Sequence, residues 1–151
     1  MSRKVMKYAL VLVVLGFAAI QFVQPDRTNP PVDPASTFEA VAKPSPQLAG
    51  LLRRACYDCH SHSTVWPWYS RIAPVSWLVA DDVKEGRAHL NFSQWNFLSP
   101  EMSSTRLKEA CQEVSEGGMP LWNYRLIHSE ARLTAEDIKV ICSGIGSGQA
   151  Q

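Results

Sequence analysis

A chain of 151 residues, 46% hydrophobic and 19% charged, is long enough for one domain with a modest core. Its formal net charge of +1 makes no case for a nucleic-acid partner, and no internal repeat is visible. The amino terminus carries a short basic flank, Arg3, Lys4 and Lys7, followed by an uncharged run from Tyr8 to Ile20 that Phe22 and Val23 extend past Gln21. That pattern predicts a signal peptide or a short membrane anchor over residues 1–23. At about 1.5 Å per residue the run spans roughly 24 Å, against a bilayer core of about 30 Å. No convincing A-x-A cleavage signal follows, which favours retention as an anchor, and the basic flank places everything after Val23 outside the cytoplasm.

Residues 24–44 read as a proline-rich linker, with Pro25, Pro30, Pro31, Pro34 and Pro44 and, just beyond, Pro46. Such a stretch is expected to be extended rather than helical. The competing expectation is an ordered arm pinned on the domain by Phe38 and Val41. The folded domain is expected over 45–143, mostly helical. Ser45-Pro46 opens a helix with Leu48, Leu51, Leu52 and Ala55 on one face. Pro74 opens another, with Val75, Leu78, Val79 and Val83 at helical spacing and Gly86 near its end. Ser99-Pro100-Glu101 starts a third, with Leu107, Ala110, Cys111 and Val114 as its stripe and Gly117-Gly118 as its stop. Thr134-Ala135-Glu136-Asp137 resembles a capping box for a last helix through Ile138 and Ile141. Residues 144–151 read as a flexible tail.

The first of these helices delivers Cys56-Tyr57-Asp58-Cys59-His60. A C-x-x-C-H run is the pattern of a c-type haem attachment site: two thiols one turn apart can each form a thioether to a vinyl group, and the following imidazole falls under the iron. A thiol redox pair would sit before a helix in a βαβ pattern, which is missing here. Structural zinc takes two separated ligand pairs, whereas Cys56, Cys59, His60 and His62 are clustered and no second C-x-x-C follows. In bacteria, covalent haem attachment takes place on the same side of the membrane to which the amino terminus points. Cys111 and Cys142 lie outside the motif, either a disulfide in an oxidising compartment or two small buried thiols.

The iron's sixth position has Met119 as its best candidate, since it leaves a helix after Gly117-Gly118 and is stiffened by Pro120. It also lies 59 residues beyond His60, enough chain to reach the opposite haem face. His62, His89, His128 and Met102 are the competitors, and an open site is the remaining alternative. Trp66, Trp68, Trp77, Trp95 and Trp122 all fall inside the domain, as haem-pocket walls or plain core aromatics. Arg71, Arg87 and Arg125 are candidates for pairing with haem propionates, or ordinary surface charges.

Beyond the haem motif, Trp66-Pro67-Trp68-Tyr69-Ser70-Arg71-Ile72-Ala73-Pro74-Val75-Ser76-Trp77 resembles the bacterial haem-binding domain family. So do Asp82 to Arg87, Leu90-Asn91-Phe92-Ser93-x-Trp95, and Met119-Pro120-Leu121-Trp122-x-Tyr124 through His128. The resemblance covers roughly residues 47–141 and implies a small exported protein with an all-α, cytochrome c-like domain. It implies haem c attached to Cys56 and Cys59, with His60 as proximal ligand and Met119 as natural distal candidate. One departure stands out: members often carry a tryptophan near Ser143-Gly144, where this chain has none.

The function expected from these residues is one-electron transfer by a His/Met-ligated haem, on the periplasmic side of the bacterial inner membrane, tethered by the N-terminal helix or released if that helix is cleaved. Its partner is a redox protein of unknown identity. Electron transfer rather than enzymatic turnover follows from two filled axial positions. The alternative is a peroxidase-associated or small-ligand-sensing haem protein with an open or exchangeable distal site, for which Arg87 and His89 are the residues at hand.

Overall fold

The computed structural model describes residues 2–147. Among them the regular structure is all-α: eight α-helices joined by short 3-10 turns, with no strand. The helices are α1 (Arg3–Ile20), α2 (Phe38–Ala42), α3 (Pro46–Ala55), α4 (Tyr57–His60), α5 (Val75–His89), α6 (Pro100–Glu116), α7 (Trp122–Ile127) and α8 (Ala135–Ser147).

The helix starts follow local chemistry. Ser45 Oγ accepts from Leu48 N at 3.2 Å with Pro46 in the first turn, and Ser99 Oγ accepts from Met102 N at 3.2 Å with Pro100 in the same place. Thr134 and Asp137 close a reciprocal box, Asp137 N donating to Thr134 Oγ1 at 3.1 Å and Thr134 N to Asp137 Oδ2 at 2.9 Å. Gly117 ends α6 at φ 78°, a left-handed cap that a side chain would resist.

The chain divides into two compact units: residues up to 28 with 66–82, and 29–65 with residues from 83 onward. The second unit holds a core of Phe38, Leu48, Leu51, Leu52, Phe92, Trp95, Leu107, Val114 and Ile141. Phe38 meets Trp95 and Phe92 edge-on, with centroids 4.8 and 5.5 Å away. Phe38 opens α2, which overturns the expectation that residues 24–44 hold no helix. The reason is spacing: the gap between Pro34 and Pro44 admits one short helix, and Thr37 caps it by accepting from Ala40 N at 3.3 Å. Phe38 therefore anchors an ordered arm, while Val41 stays exposed.

A disulfide joins Cys111 of α6 to Cys142 of α8. Arg54 ties α3 to α8 through Asp137 at 2.9 Å, and it also bonds the Glu130 carbonyl. Helix α8 runs on through residues 144–147, which the sequence assigns to a flexible tail; residues 148–151 lie outside the described ones. Gly144 passes so close to buried Leu48 that a Cβ there would lie 2.8 Å from Leu48 Cδ2, a tight helix contact.

The first unit consists of α1, the strand-free segment after it, and residues 66–82. Gln21 grips the backbone of Ala73 from both sides, its Nε2 donating to Ala73 O at 3.0 Å and its Oε1 accepting from Ala73 N at 2.9 Å. Trp77 Nε1 donates to Val23 O at 2.7 Å, and Arg27 Nη1 to Ser70 O at 3.2 Å. No helix among the described residues is long and apolar enough to cross a membrane. The reason is that Arg3, Lys4 and Lys7 occupy the first turns of the 18-residue α1. Of the apolar face expected on α5, only Val83 is deeply buried, whereas Val75 and Leu78, both in the first unit, are exposed.

Candidate haem site

Helix α3 breaks at Cys56, which leaves helical geometry at φ −125°, and the chain restarts as the single turn α4. His60 N and Cys59 N both donate to Cys56 O, at 2.9 and 3.2 Å. Positions i, i+3 and i+4 share one face of such a turn, so Cys56, Cys59 and His60 are brought together. Both cysteines are thiols and neither takes part in the disulfide. Burial, reinforced by Cys59, pushes the Cys56 thiol up to about 12, so it stays protonated at neutral pH.

The residues between the two cysteines hold the turn in place. Tyr57 stacks on Phe92 at 5.0 Å, which fastens the turn to the core. Asp58 accepts from Val65 N at 2.9 Å and from the Tyr124 hydroxyl at 2.7 Å, and its carbonyl accepts from Thr64 Oγ1 at 2.6 Å. The Leu90–Ser93 segment covers the other end. His60 Nδ1 lies 3.0 Å from Leu90 O, Phe92 N donates to His60 O at 2.8 Å, and His62 N donates to Ser93 Oγ at 2.9 Å. A protonated Nδ1 bonded to a carbonyl fixes the ring and leaves Nε2 as the electron-pair donor, the arrangement a metal-binding imidazole needs. Burial lowers the His60 pKa, which favours the neutral ring.

The other sequence candidates are placed as follows. Met119 is partly buried, packed against the same core as Cys56 and Leu90; its N–H donates to Glu113 O at 3.2 Å and its peptide to Pro120 is cis. His62 is buried and bound to Asn91 at 2.9 Å. His89 stands exposed beside Glu85 at 3.8 Å, His128 stacks on Tyr124 with Nδ1 3.0 Å from Glu130, and Met102 is exposed. Of the tryptophans, only Trp95 is a core residue, while Trp68, Trp77 and Trp122 are exposed.

Arg87 has a different role from the propionate partner the sequence suggests. Its Nε donates to Ser61 O at 2.8 Å, and its Nη2 to Asn29 Oδ1 at 2.8 Å and Thr64 Oγ1 at 2.9 Å. One guanidinium thus braces the chain that leaves the C-x-x-C-H turn. Sequence carries no signal for this, because two of the partners are a carbonyl and a hydroxyl on a loop. Arg87→Met is expected to destabilise the protein by about 2 kcal/mol, since hydrogen bonds from a charged donor are lost while apolar bulk is kept. Denaturant unfolding of the variant checks it.

The donor set suits haem better than a bare ion. Among the described residues no group of three or more His, Cys, Asp or Glu side chains is placed to hold a bare metal ion. Two thiols and an oriented imidazole on one face of a turn can instead engage one flat macrocycle from one side. A cavity of about 510 Å³ lined by Val32, Thr37, Tyr57, Asp58 and Phe92 adjoins the intervening residues, and none of Cys56, Cys59, His60 or Met119 lines it.

An all-α protein with this constellation belongs to the small helical haem proteins. The model of the haem-binding domain family matches residues 15–147, and the chain belongs to that family. No curated protein and no solved structure matches it.

Proposed function

We propose that this haem protein holds its cofactor covalently, as haem c on Cys56 and Cys59, and carries single electrons on the periplasmic side of a bacterial inner membrane. His60 is the proximal ligand and Met119 the distal one; α1 tethers the protein to the membrane, and a redox protein is its partner. The observation that carries this reading is the pairing of two thiols with a neighbouring imidazole whose Nδ1 is committed to Leu90 O. Bound iron supplies the one-electron step, cycling between its ferric and ferrous states. Cys56 and Cys59 would hold the macrocycle by thioethers, each thiol adding across one vinyl group, sulfur to one carbon and hydrogen to the other, so that no oxidant would be required. His60 Nε2 would hold the iron on one side, and the Met119 thioether, a soft ligand, would favour the reduced state. The Cys111–Cys142 disulfide supports an oxidising compartment, and the basic-then-apolar amino terminus supports export.

Met119→Ala tests the electron-carrier reading. The wild type should be low-spin, with the far-red sulfur-to-iron band, and indifferent to carbon monoxide. The variant should lose that band, bind carbon monoxide and show a lower reduction potential by redox titration. A wild-type protein that is high-spin and binds carbon monoxide unaided would overturn this reading in favour of peroxidase or sensor chemistry.

A further inference from the structure

We propose that residues 66–78 form a second membrane-contact element, seated in the headgroup–acyl boundary of the bilayer that holds α1. This rests on the tether proposed above. The uncharged part of α1, Tyr8 to Ile20, covers only about 20 Å at 1.5 Å per residue, short of a hydrocarbon core of about 30 Å. A firm hold therefore needs more apolar surface, and the first unit presents it. Phe22 is 90% exposed and Trp68 73%, and Ile72, Val75, Trp77 and Leu78 are exposed with them. So many large apolar side chains on one small unit mark an interaction surface rather than a solvated one.

Three features select lipid as the occupant. First, the segment is fixed to the end of α1 by the Gln21–Ala73, Trp77–Val23 and Arg27–Ser70 bonds, so it follows wherever α1 is held. Second, three of its polar groups are met internally, although the buried Trp66 Nε1 and Ser76 Oγ are not. Trp77 Nε1 is already bonded, Ser70 Oγ donates to Pro67 O at 2.6 Å, and Ile72 N donates to Tyr69 O at 3.1 Å. An amphipathic indole with its N–H satisfied suits the interfacial layer where tryptophan concentrates. Third, the apolar face has a polar edge. Asp81 and Asp82 stand one turn beyond Trp77 and Leu78, and exposed Arg71 offers a cation to anionic headgroups.

The experiment uses the full haem-loaded chain, whose four native cysteines are taken up in thioethers and the disulfide, so one introduced cysteine takes an environment-sensitive fluorophore. Val13→Cys, Trp68→Cys, Leu78→Cys and, as reference in the other unit, Lys108→Cys are reconstituted with vesicles of phosphatidylethanolamine and phosphatidylglycerol. Quenching by nitroxides on the acyl chains is read, and variants are kept only if their haem spectrum matches the wild type. Quenching at 13, 68 and 78 but not 108 is expected. Quenching at 13 alone would overturn the second contact and leave the tether intact, a result that assigns the face to a protein partner. Quenching at 68 and 78 without 13 would support the contact and remove α1 as the tether. No quenching at any position would overturn both. Two label sites on different elements guard against a single substitution that disturbs the loop.

Discussion

Gly86→Ala is expected to destabilise the protein by about 1–3 kcal/mol, the usual range for overpacking, and to lower the haem content of what remains. Helix α5 passes the C-x-x-C-H turn at Gly86, where an added Cβ would lie 2.6 Å from Cys59 O, 3.0 Å from Cys59 C and 3.1 Å from Cys59 Cβ. The obstacle is mostly backbone, and that backbone cannot step aside. Cys59 N is bonded to Cys56 O, and the neighbouring His60 carbonyl is held by Phe92 N. The helix must move instead, and it carries Arg87, the brace of the following loop, on its next residue. Gly50→Ala in α3 is the matched control. Nothing lies within 4 Å of a Cβ at Gly50, so alanine there should stabilise by about 0.5–1 kcal/mol through helix propensity alone. The same chemical change is thus predicted to have opposite signs at two helical sites. Denaturant unfolding and the haem absorbance of each purified variant measure it, and a Gly86→Ala protein as stable and as coloured as the wild type would mean that α5 does not approach Cys59 this closely.

Replacing Cys111 and Cys142 together with alanine is the second large expected effect, a loss of about 3.5 kcal/mol from the chain entropy of a 31-residue separation. For a protein of this size that corresponds to a fall in Tm of about 10 °C. The bond joins α6 and α8, and α8 also carries buried Ile141 into the core and Asp137 to Arg54. Neither cysteine is part of the C-x-x-C-H turn, so haem content should persist at temperatures below the new transition. Thermal unfolding followed at the haem band and by far-ultraviolet circular dichroism separates the two readouts. An unchanged Tm would show that the cross-link adds nothing to stability.

What could be read from the sequence was what local chemistry writes. The starts of α3, α6 and α8 are announced by Ser45, Ser99 and Thr134, each capping as its side chain allows, and Gly117 ends α6 as glycine does. The C-x-x-C-H turn is equally local, because five consecutive residues contain it. Features built from distant partners were not legible. The grip of Gln21 on Ala73 spans 52 positions and uses backbone on one side, so the division into two units left no pattern. The brace at Arg87 uses loop carbonyl and hydroxyl groups, and a guanidinium near a haem motif suggests a propionate instead. Helix α2 was hidden by the prolines on either side of it. The apolar face of α5 was legible as a pattern but not as burial, since periodicity says which residues share a face and not what covers it.

The central claim is that Cys56 and Cys59 carry haem. Its most direct test is the mass of the proteolytic peptide spanning Cys56 to His60, from protein made in a strain competent for cytochrome c maturation and purified under denaturing conditions. A peptide heavier by one haem, with no thiol left to alkylate, is the predicted result. An unmodified peptide whose two cysteines still take alkylating reagent, from protein that lost its colour on denaturation, would contradict it.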